Sequence, residues 1–466
     1  MYKKSHFHFM GISGIGMSGL ADIMIQQGHT VSGCDLHLHE KNVRLLIQNG
    51  SQLAEKHNSK ICSDPSIDVL VYSTAIVQNN PHHPELLAAQ KKGIPLIKRA
   101  SLLAEIMRTK SSIAVAGAHG KTTTTALLSH IALESKIDPT VIIGGHLQNI
   151  QSHVHFGKGE YCIAEADESD RSFLELPKSL SIVNNIDREH LDAYTDLEDI
   201  KNTFLQFINT TPFYGLTSLN IDDKNIQALI PQITSKYITY AIDSVADLQA
   251  KNISLSPANS TFDLYKNGVK IDTILMPMPG KHNIYNCLGA ISIAQEMNIP
   301  QDQIKRAIAS FLGVDQRFSY RGIIAQKNVE IFEDYGHHPY EIECTLKIAK
   351  NRAKNRLIVL FQPQRFSRTK HLWNEFVQVF QEAEIDSVIM TDIYPASEHP
   401  LPNISTERLV QEINRIETVY LPFQENFNLI IDYLEKTLKS EDLLLVLGAG
   451  KVNQIIPKLI SSRFDK

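Results

Sequence analysis

The sequence predicts an α/β protein built on parallel sheets and divided among several domains, on three observations. Short apolar strands alternate with helical stretches along the whole chain, strand after strand ends in glycine, acid or histidine, and 466 residues exceed one ordinary core. Strands are expected at 7–12, 68–72, 113–116, 161–164, 182–185, 329–332, 357–361, 387–391 and 443–447. Ligands of open α/β sheets sit at the carboxyl ends of strands, so polar residues there are the first functional candidates.

Composition narrows the class. Hydrophobic residues make up 43% and charged residues 21%, with a net charge of -5, which is ordinary for a folded protein. No dense Lys/Arg run appears, which speaks against nucleic acid as a partner. The five cysteines, Cys34, Cys62, Cys162, Cys287 and Cys344, are far apart and form no CxxC pair; they read as small buried side chains in a reducing compartment. No apolar run approaches the length of a membrane span, and none of signal type precedes the first glycine loop. The expectation is a soluble cytoplasmic protein with no membrane insertion.

Taken in order, the first strand leads into Gly11, Gly14, Gly16 and Gly19, a G-x-G-x-x-G loop with Asp35 further on. Such a loop brings backbone N–H groups close to a pyrophosphate. Both a dinucleotide and a UDP-sugar carry that group, so the loop does not choose between them. A strand-like 94–97 and a helix follow, placing a first boundary near residue 109.

Residues Gly117, Ala118, His119, Gly120, Lys121, Thr122 and Thr123 then join an apolar strand to a helix that begins in threonines. Backbone amides at that turn cradle phosphate oxygens, Lys121 can reach terminal phosphates, and the Thr122 hydroxyl suits Mg²⁺. Val115 stands where the full loop pattern has glycine, which makes this a shorter variant; a plain glycine turn capped by threonines is the bland alternative.

The strand 161–164 runs into Glu165-Ala166-Asp167-Glu168-Ser169-Asp170, four carboxylates that repel one another unless a cation is present. The strand 182–185 runs into Ile186-Asp187-Arg188-Glu189-His190-Leu191-Asp192. Glu165 and His190 are expected to end adjacent strands beside the phosphate loop, an arrangement that fits metal-assisted phosphoryl transfer. A solvated acidic turn is the competing reading. Residues 216–275 look strand-like and say least.

Pro279-Gly280-Lys281-His282-Asn283-Ile284-Tyr285-Asn286 opens a helix whose amides can read an adenine. A second boundary falls near Val314, after a helix at 303–311. Asp334-Tyr335-Gly336-His337-His338-Pro339 ends a strand with a histidine pair, and Gln362-Pro363-Gln364-Arg365-Phe366-Ser367-Arg368-Thr369 offers two arginines three apart. On one face of a helix start, two guanidinium forks suit a small carboxylate.

These motifs, in this order over essentially the whole chain, resemble the Mur ligases. The resemblance implies three domains: 1–108, Rossmann-like and holding a UDP-sugar; 109–314, a central P-loop-type ATPase; and 315–466, Rossmann-like, closing over ATP and bringing an amino acid. It implies ATP-dependent joining of L-alanine to the carboxylate of UDP-N-acetylmuramate through an acyl phosphate, in peptidoglycan precursor synthesis, with Mg²⁺ or Mn²⁺; the sequence leaves monomer or homodimer open. Carried over by residue, Gly117 to Thr123 hold the ATP phosphates, and Thr122, Glu165 and His190 hold the metal. Asn283 and Asn286 face adenine, and Arg317 reaches the phosphates. Tyr335, His337, Arg365 and Arg368 surround L-alanine, while Gly14, Gly16, Asp35, Ser73 and Thr74 border the UDP-sugar. The chain departs from the usual family wording at Gln364, where a histidine is common, at Glu333, where an aspartate is, and at Ser397, where glycine is. An NAD-dependent dehydrogenase, a ligase that adds a whole tripeptide to the same sugar, and a non-catalytic nucleotide-binding regulator are the rival readings.

Overall fold

In the computed structural model, residues 3–36, 38, 41–57, 64–190, 193–396 and 398–461 are described. Cys62, Leu191, Asp192 and Ser397, all noted from the sequence, lie outside them.

The strands gather into three sheets. The first contains β1 (His6–Met10), β2 (Thr30–Asp35), β3 (Gln52–Glu55), β4 (Val69–Tyr72) and β5 (Leu96–Lys98), in the order β3-β2-β1-β4-β5. All its neighbours pair in parallel. This is the doubly wound order, with the ligand crevice expected where the winding reverses, between the ends of β1 and β4.

The second sheet contains β6 (Ser111–Ala116), β7 (Thr140–Leu147), β8 (Ser152–His155), β9 (Tyr161–Glu165), β10 (Leu180–Val183), β11 (Leu216–Asn220), β12 (Tyr237–Ala241), β13 (Leu248–Leu255), β14 (Ser260–Lys266) and β15 (Val269–Met276). Its order is β15-β14-β13-β12-β11-β10-β6-β9-β7-β8. β6 pairs in parallel with both β9 and β10. The expectation that Glu165 and His190 end adjacent strands is therefore corrected. The chain lays β9 on one side of β6 and then crosses to lay β10 on the other, so the glycine loop after β6 sits between the two acidic strand ends.

The third sheet contains β16 (Ser319–Ile324), β17 (Val329–Asp334), β18 (Leu357–Phe361), β19 (Ser387–Met390), β20 (Glu417–Tyr420) and β21 (Leu443–Leu447), in the order β16-β17-β21-β18-β19-β20. Only β16 pairs antiparallel in it. β18 and β21 are buried at every position, as strands covered on both faces must be.

Two compact units result. One runs through Asn252 and includes Phe262–Leu275 and Ile284–Gly313; the other takes Ile253–Thr261, Met276–Asn283 and everything from Val314. In the first unit one continuous core joins both sheets, from Phe9, Leu20 and Met24 to Val183, Phe204 and Phe207. In the second, separate cores cover the two faces of the third sheet, one around Phe361 and Phe376 and one around Leu360 and Ile430. The fold class read from the sequence stands: each sheet is wound through helices, and two of the expected strand spans, 357–361 and 443–447, coincide with β18 and β21.

Candidate active site

β6 ends at Ala116, and the chain turns through Gly117 (φ +140°) and Gly120 (φ +77°) into the helix Lys121–Glu134. Both glycines are required. A Cβ on Gly117 would lie 3.0 Å from the Asn184 Cβ, and one on Gly120 would lie 2.2 Å from the Asn286 Oδ1. The loop is pinned from β10's end, where the Asn185 side-chain oxygen accepts from the His119 N–H at 2.7 Å and its main-chain oxygen accepts from the Ala118 N–H at 3.2 Å.

Lys121 lies back across this loop. Its ammonium donates to the carbonyls of Gly117 (2.6 Å) and Ala118 (3.1 Å) and to Glu168 Oε1 (2.8 Å). Burial works to lower its pKa, but the charges of Glu168, Glu189 and Glu165 outweigh it and the pKa is raised. Lys121 thus remains charged throughout the physiological range.

The four acids after β9 have separate tasks. Both Glu165 oxygens accept from the Thr122 hydroxyl at 3.1 Å, and one accepts from the Gly144 N–H at 2.8 Å. Burial raises the Glu165 pKa against the pull of Lys121. Asp167 pairs with Arg99 at 3.2 Å, and Asp170 accepts from the Thr74 hydroxyl at 3.0 Å, so these two tie the edge of the first sheet to the second. Glu168 is the inward-facing acid. Its Oε1 holds Lys121 and stands 3.5 Å from His190 Nε2, while its Oε2 is buried with no hydrogen-bond partner among the described residues.

His190 takes a left-handed backbone (φ +55°) that turns its ring towards Glu168 and Glu189. Burial works to lower its pKa, but the hydrogen bond to Glu168 and the charge of Glu189 raise it. Donor atoms of Glu168, Glu189 and His190 lie within 4.8 Å of one another. Three such donors with an unsatisfied carboxylate oxygen are what a hard divalent cation needs. Of the metal set expected from sequence, the fold joins Thr122 to Glu165 and His190 to Glu168; Glu168 and Glu189 were not singled out.

Thr123 is buried at the helix start. In the helix Lys281–Glu296, the Asn286 Oδ1 accepts from the Thr124 hydroxyl at 3.2 Å, and the Asn283 amide donates to the Pro279 carbonyl at 2.7 Å.

At the first sheet's winding reversal, Gly14 caps the helix Ile15–Gln26, and the Ser13 N–H donates to Asp35 at 3.0 Å. Ser73 caps the helix Thr74–Asn79 after β4, so Gly14, Gly16, Asp35, Ser73 and Thr74 all lie at one sheet edge.

In the second unit, the ends of β17, β21 and β18 are neighbours. Arg317 lies 5.6 Å over the Tyr335 ring, and the Tyr335 and His337 rings meet edge to face at 5.4 Å. His338 and Glu341 form a capping box on the helix Pro339–Arg352. Arg365 is the cap of the helix Phe366–His371, with φ +68°, and pairs with Glu398 at 2.7 Å; Arg368 donates to Gln364. Arg365 thus stands at the helix cap and Arg368 three residues on in its first turn, at the helix start the sequence indicated. Gln364 thus occupies the common histidine's position as a partner of Arg368, and Glu333 accepts from Gln316 and Asn453 as well as Arg321. Sequence reading also passed over Gly448 and Gly450 after β21. A Cβ at Gly450 would lie 2.2 Å from Gln362 Oε1, which accepts from the N–H groups of Lys451 and Val452. Glycines after an apolar strand were the available signal.

Fold and loop define an α/β protein of the phosphate-loop class, with a lysine and three glutamates at a sheet's winding reversal. The chain belongs to the Mur ligase family: residues 6–111 match "Mur ligase family, catalytic domain", 115–294 "Mur ligase middle domain", and 316–450 "Mur ligase, glutamate ligase domain". It is 42% identical to the UDP-N-acetylmuramate–L-alanine ligase of Syntrophus aciditrophicus over 98% of this chain and 94% of that one. It is 43% identical to the protein of the same name in Trichlorobacter lovleyi over 96% of each. Among solved structures, the UDP-N-acetylmuramate-alanine ligase of Thermotoga maritima shares the fold, with a TM-score of 0.81 at 24% identity and 98% of both chains covered. No helix among the described residues is long and apolar enough to cross a membrane.

Proposed function

We propose that this chain is an ATP-dependent ligase that joins L-alanine to the carboxylate of UDP-N-acetylmuramate in the cytoplasm, a step of peptidoglycan precursor synthesis. The observation that carries the reading is Lys121, held charged by Glu168, Glu189 and Glu165 in a loop of N–H donors at the winding reversal of the second sheet. The names of the relatives supply the substrates. The sugar carboxylate takes the γ-phosphoryl group and ADP leaves; the alanine amine then attacks the acyl carbon, loses a proton, and phosphate departs with both electrons of the C–O bond. Lys121 and the loop amides stabilise the charge on the moving group.

The donors present fit Mg²⁺. Thr122, Glu165 and His190, with Glu168, would hold it, and when bound the ion neutralises charge on the phosphates. We read the chain as three domains, 1–108 for the UDP-sugar, 109–314 for ATP and 315–466 for the amino acid; the presence of one sheet in each span supports this. Gly14, Gly16, Asp35, Ser73 and Thr74 border the sugar nucleotide, Asn283 and Asn286 the adenine, and Arg317 the phosphates. Tyr335, His337, Arg365 and Arg368 serve the amino acid.

The test is ADP release with each amino acid in turn, with and without UDP-N-acetylmuramate. Release should require both the sugar nucleotide and L-alanine. Turnover with a tripeptide and none with L-alanine would identify the recycling reaction instead. Arg368→Ala should raise KM for L-alanine by roughly ten- to two-hundredfold while leaving KM for ATP unchanged, the cost of about 1.5–3 kcal/mol for one charge-assisted contact.

A further inference from the structure

On the face of the first sheet turned towards the helix Pro84–Lys91, four side chains of metal-binding type converge. β1 supplies His8, β2 supplies Cys34, the helix supplies Glu85, and His57 follows β3. His8, Cys34 and Glu85 are completely buried. Their donor atoms lie within 4.8 Å of one another. His8 Nε2 stands 3.0 Å from Glu85 Oε1, Cys34 Sγ 3.3 Å from Glu85 Oε2, His57 Nδ1 3.0 Å from Cys34 Sγ, and His57 Nδ1 3.6 Å from Glu85 Oε2.

The surroundings make this cluster unusual. Met10, Leu70, Leu86 and Ala89 pack around it as a small apolar core. A carboxylate in such a place carries a desolvation cost of several kcal/mol, and replacing such a group with apolar residues is often neutral or stabilising. Yet the orientation of the donors is reinforced from behind. Ser32 Oγ bonds His8 Nδ1 at 2.8 Å, which leaves Nε2 aimed at Glu85; the same hydroxyl bonds His6 Nε2 at 2.8 Å, and His6 Nδ1 is held by Ser66 Oγ at 2.9 Å. A ligand histidine held through its other ring nitrogen by an outer partner is the usual support of a metal site.

We propose that His8, Cys34 and Glu85, with His57 turning in from the edge as the fourth ligand, form a structural Zn²⁺ site in the first sheet, separate from the phosphate-loop cluster. Two imidazoles, a thiolate and a carboxylate are the donor set that a borderline-soft, tetrahedral ion takes. Bond lengths of about 2.0–2.3 Å at tetrahedral angles put neighbouring donors roughly 3.3–3.6 Å apart; around Glu85 Oε1, His8 Nε2 stands at 3.0 Å and Cys34 Sγ at 3.4 Å, while His57, 3.0 Å from Cys34 Sγ, lies outside this three-residue group and has to turn in to complete the shell. On binding, the ion replaces the Cys34 thiol proton, which leaves to solvent, and the sulfur electron pair forms the metal bond. The ion cross-links β1, β2, the end of β3 and the helix, and its charge offsets the buried carboxylate. The inference does not depend on the ligase reading.

The test uses the full chain purified without chelator. Metal analysis should find about one zinc per chain, within the limits of a single four-ligand site. Replacing zinc with Co²⁺ should give the visible bands of a tetrahedral ion and a thiolate-to-cobalt charge-transfer band, and Cys34→Ser should abolish the latter. Since the phosphate-loop cluster contains no thiol, that band belongs to this site alone. Ser32→Ala, which touches no metal, should weaken zinc binding by about ten- to a hundredfold. Should Cys34→Ser fail to fold, His57→Gln at the partly exposed edge gives the same reading through loss of zinc affinity. A wild-type protein that takes up cobalt with no charge-transfer band, or that holds zinc equally well as His57→Gln, would overturn the proposal.

Discussion

Two glycine loops in this chain follow the first strand of a wound sheet, and the charge behind each one separates them. After β1, Gly11 to Gly14 lead into a helix with no acidic residue in its first turn; charges beside it among the described residues are Asp35, bonded to the Ser13 N–H, and Arg99, close to Gly16. After β6, Gly117 to Lys121 carry a lysine among three glutamates, one with a buried oxygen that has no hydrogen-bond partner among the described residues. On the proposed reading, the same backbone device serves holding in one place and chemistry in the other. Donor amides bind a phosphate, but moving one requires compensating charge that the transition state can use.

The largest effect should come from removing that charge. Lys121→Ala should lower turnover by roughly 10²–10³-fold, the loss typical of one preorganised donor, with the affinity for UDP-N-acetylmuramate unchanged. The variant also strands Glu168, so thermal stability should fall; Lys121→Ala combined with Glu168→Gln should recover stability and not activity. Near-native turnover in a folded Lys121→Ala protein would erase the contrast between the loops. Next comes the metal. Chelation should abolish turnover, Mg²⁺ or Mn²⁺ should restore it, and Glu168→Gln should raise the Mg²⁺ needed for half-maximal rate by tenfold or more, about 1.4 kcal/mol. Unchanged turnover in exhaustively chelated enzyme would remove the ion from the reaction.

A matched pair of glycine substitutions compares the loops directly. Gly120→Ala must place its Cβ 2.2 Å from Asn286 Oδ1 at a φ of +77°, whereas the nearest neighbour of a Gly16 Cβ is the far end of the long Arg99 side chain at 3.0 Å. Gly120→Ala should cost about 1–3 kcal/mol of stability, measured by urea unfolding, and most of the activity. Gly16→Ala should cost less than about 1 kcal/mol and act mainly on KM for the sugar nucleotide. Equal effects would mean that the two turns are equally constrained.

All nine strands expected from apolar runs are present, because a strand buried on both faces must be written as a continuous apolar word such as Leu443–Leu447. β2 and β7 were not in that set, since Thr-Val-Ser-Gly-Cys-Asp and the Gly-Gly within Thr140–Leu147 interrupt the run. The residues of the phosphate loop were legible because their spacing is local. The order β9-β6-β10 was not, and neither was the choice of Glu168 among four acids. Both depend on where the chain crosses the sheet, and that is settled by packing tens of residues away. The buried His8, Cys34 and Glu85 cluster stayed invisible for the same reason, its cysteine and glutamate lying 51 positions apart.

The smallest effect concerns the link between the loops. Arg99 lies beside Gly16 in one loop and pairs at 3.2 Å with Asp167 behind the other. Burial works to raise the Asp167 pKa, and Arg99, Lys121 and His190 more than offset it, holding the carboxyl at about 2 against an ordinary value of 3.8. A depressed folded-state value means that the stabilisation is complete above the unfolded value and is lost as pH falls from about 4 through 2. Asp167 is 40% exposed at its side chain, so solvent screening keeps the contribution to about 1 kcal/mol or less. Arg99→Met should therefore be less stable than wild type by that amount in urea melts at pH 6, with the two curves converging as pH is lowered below 4. A gap that stays constant down to acid pH would mean that Arg99 acts through packing against Gly16 and that its pairing with Asp167 contributes nothing to the join.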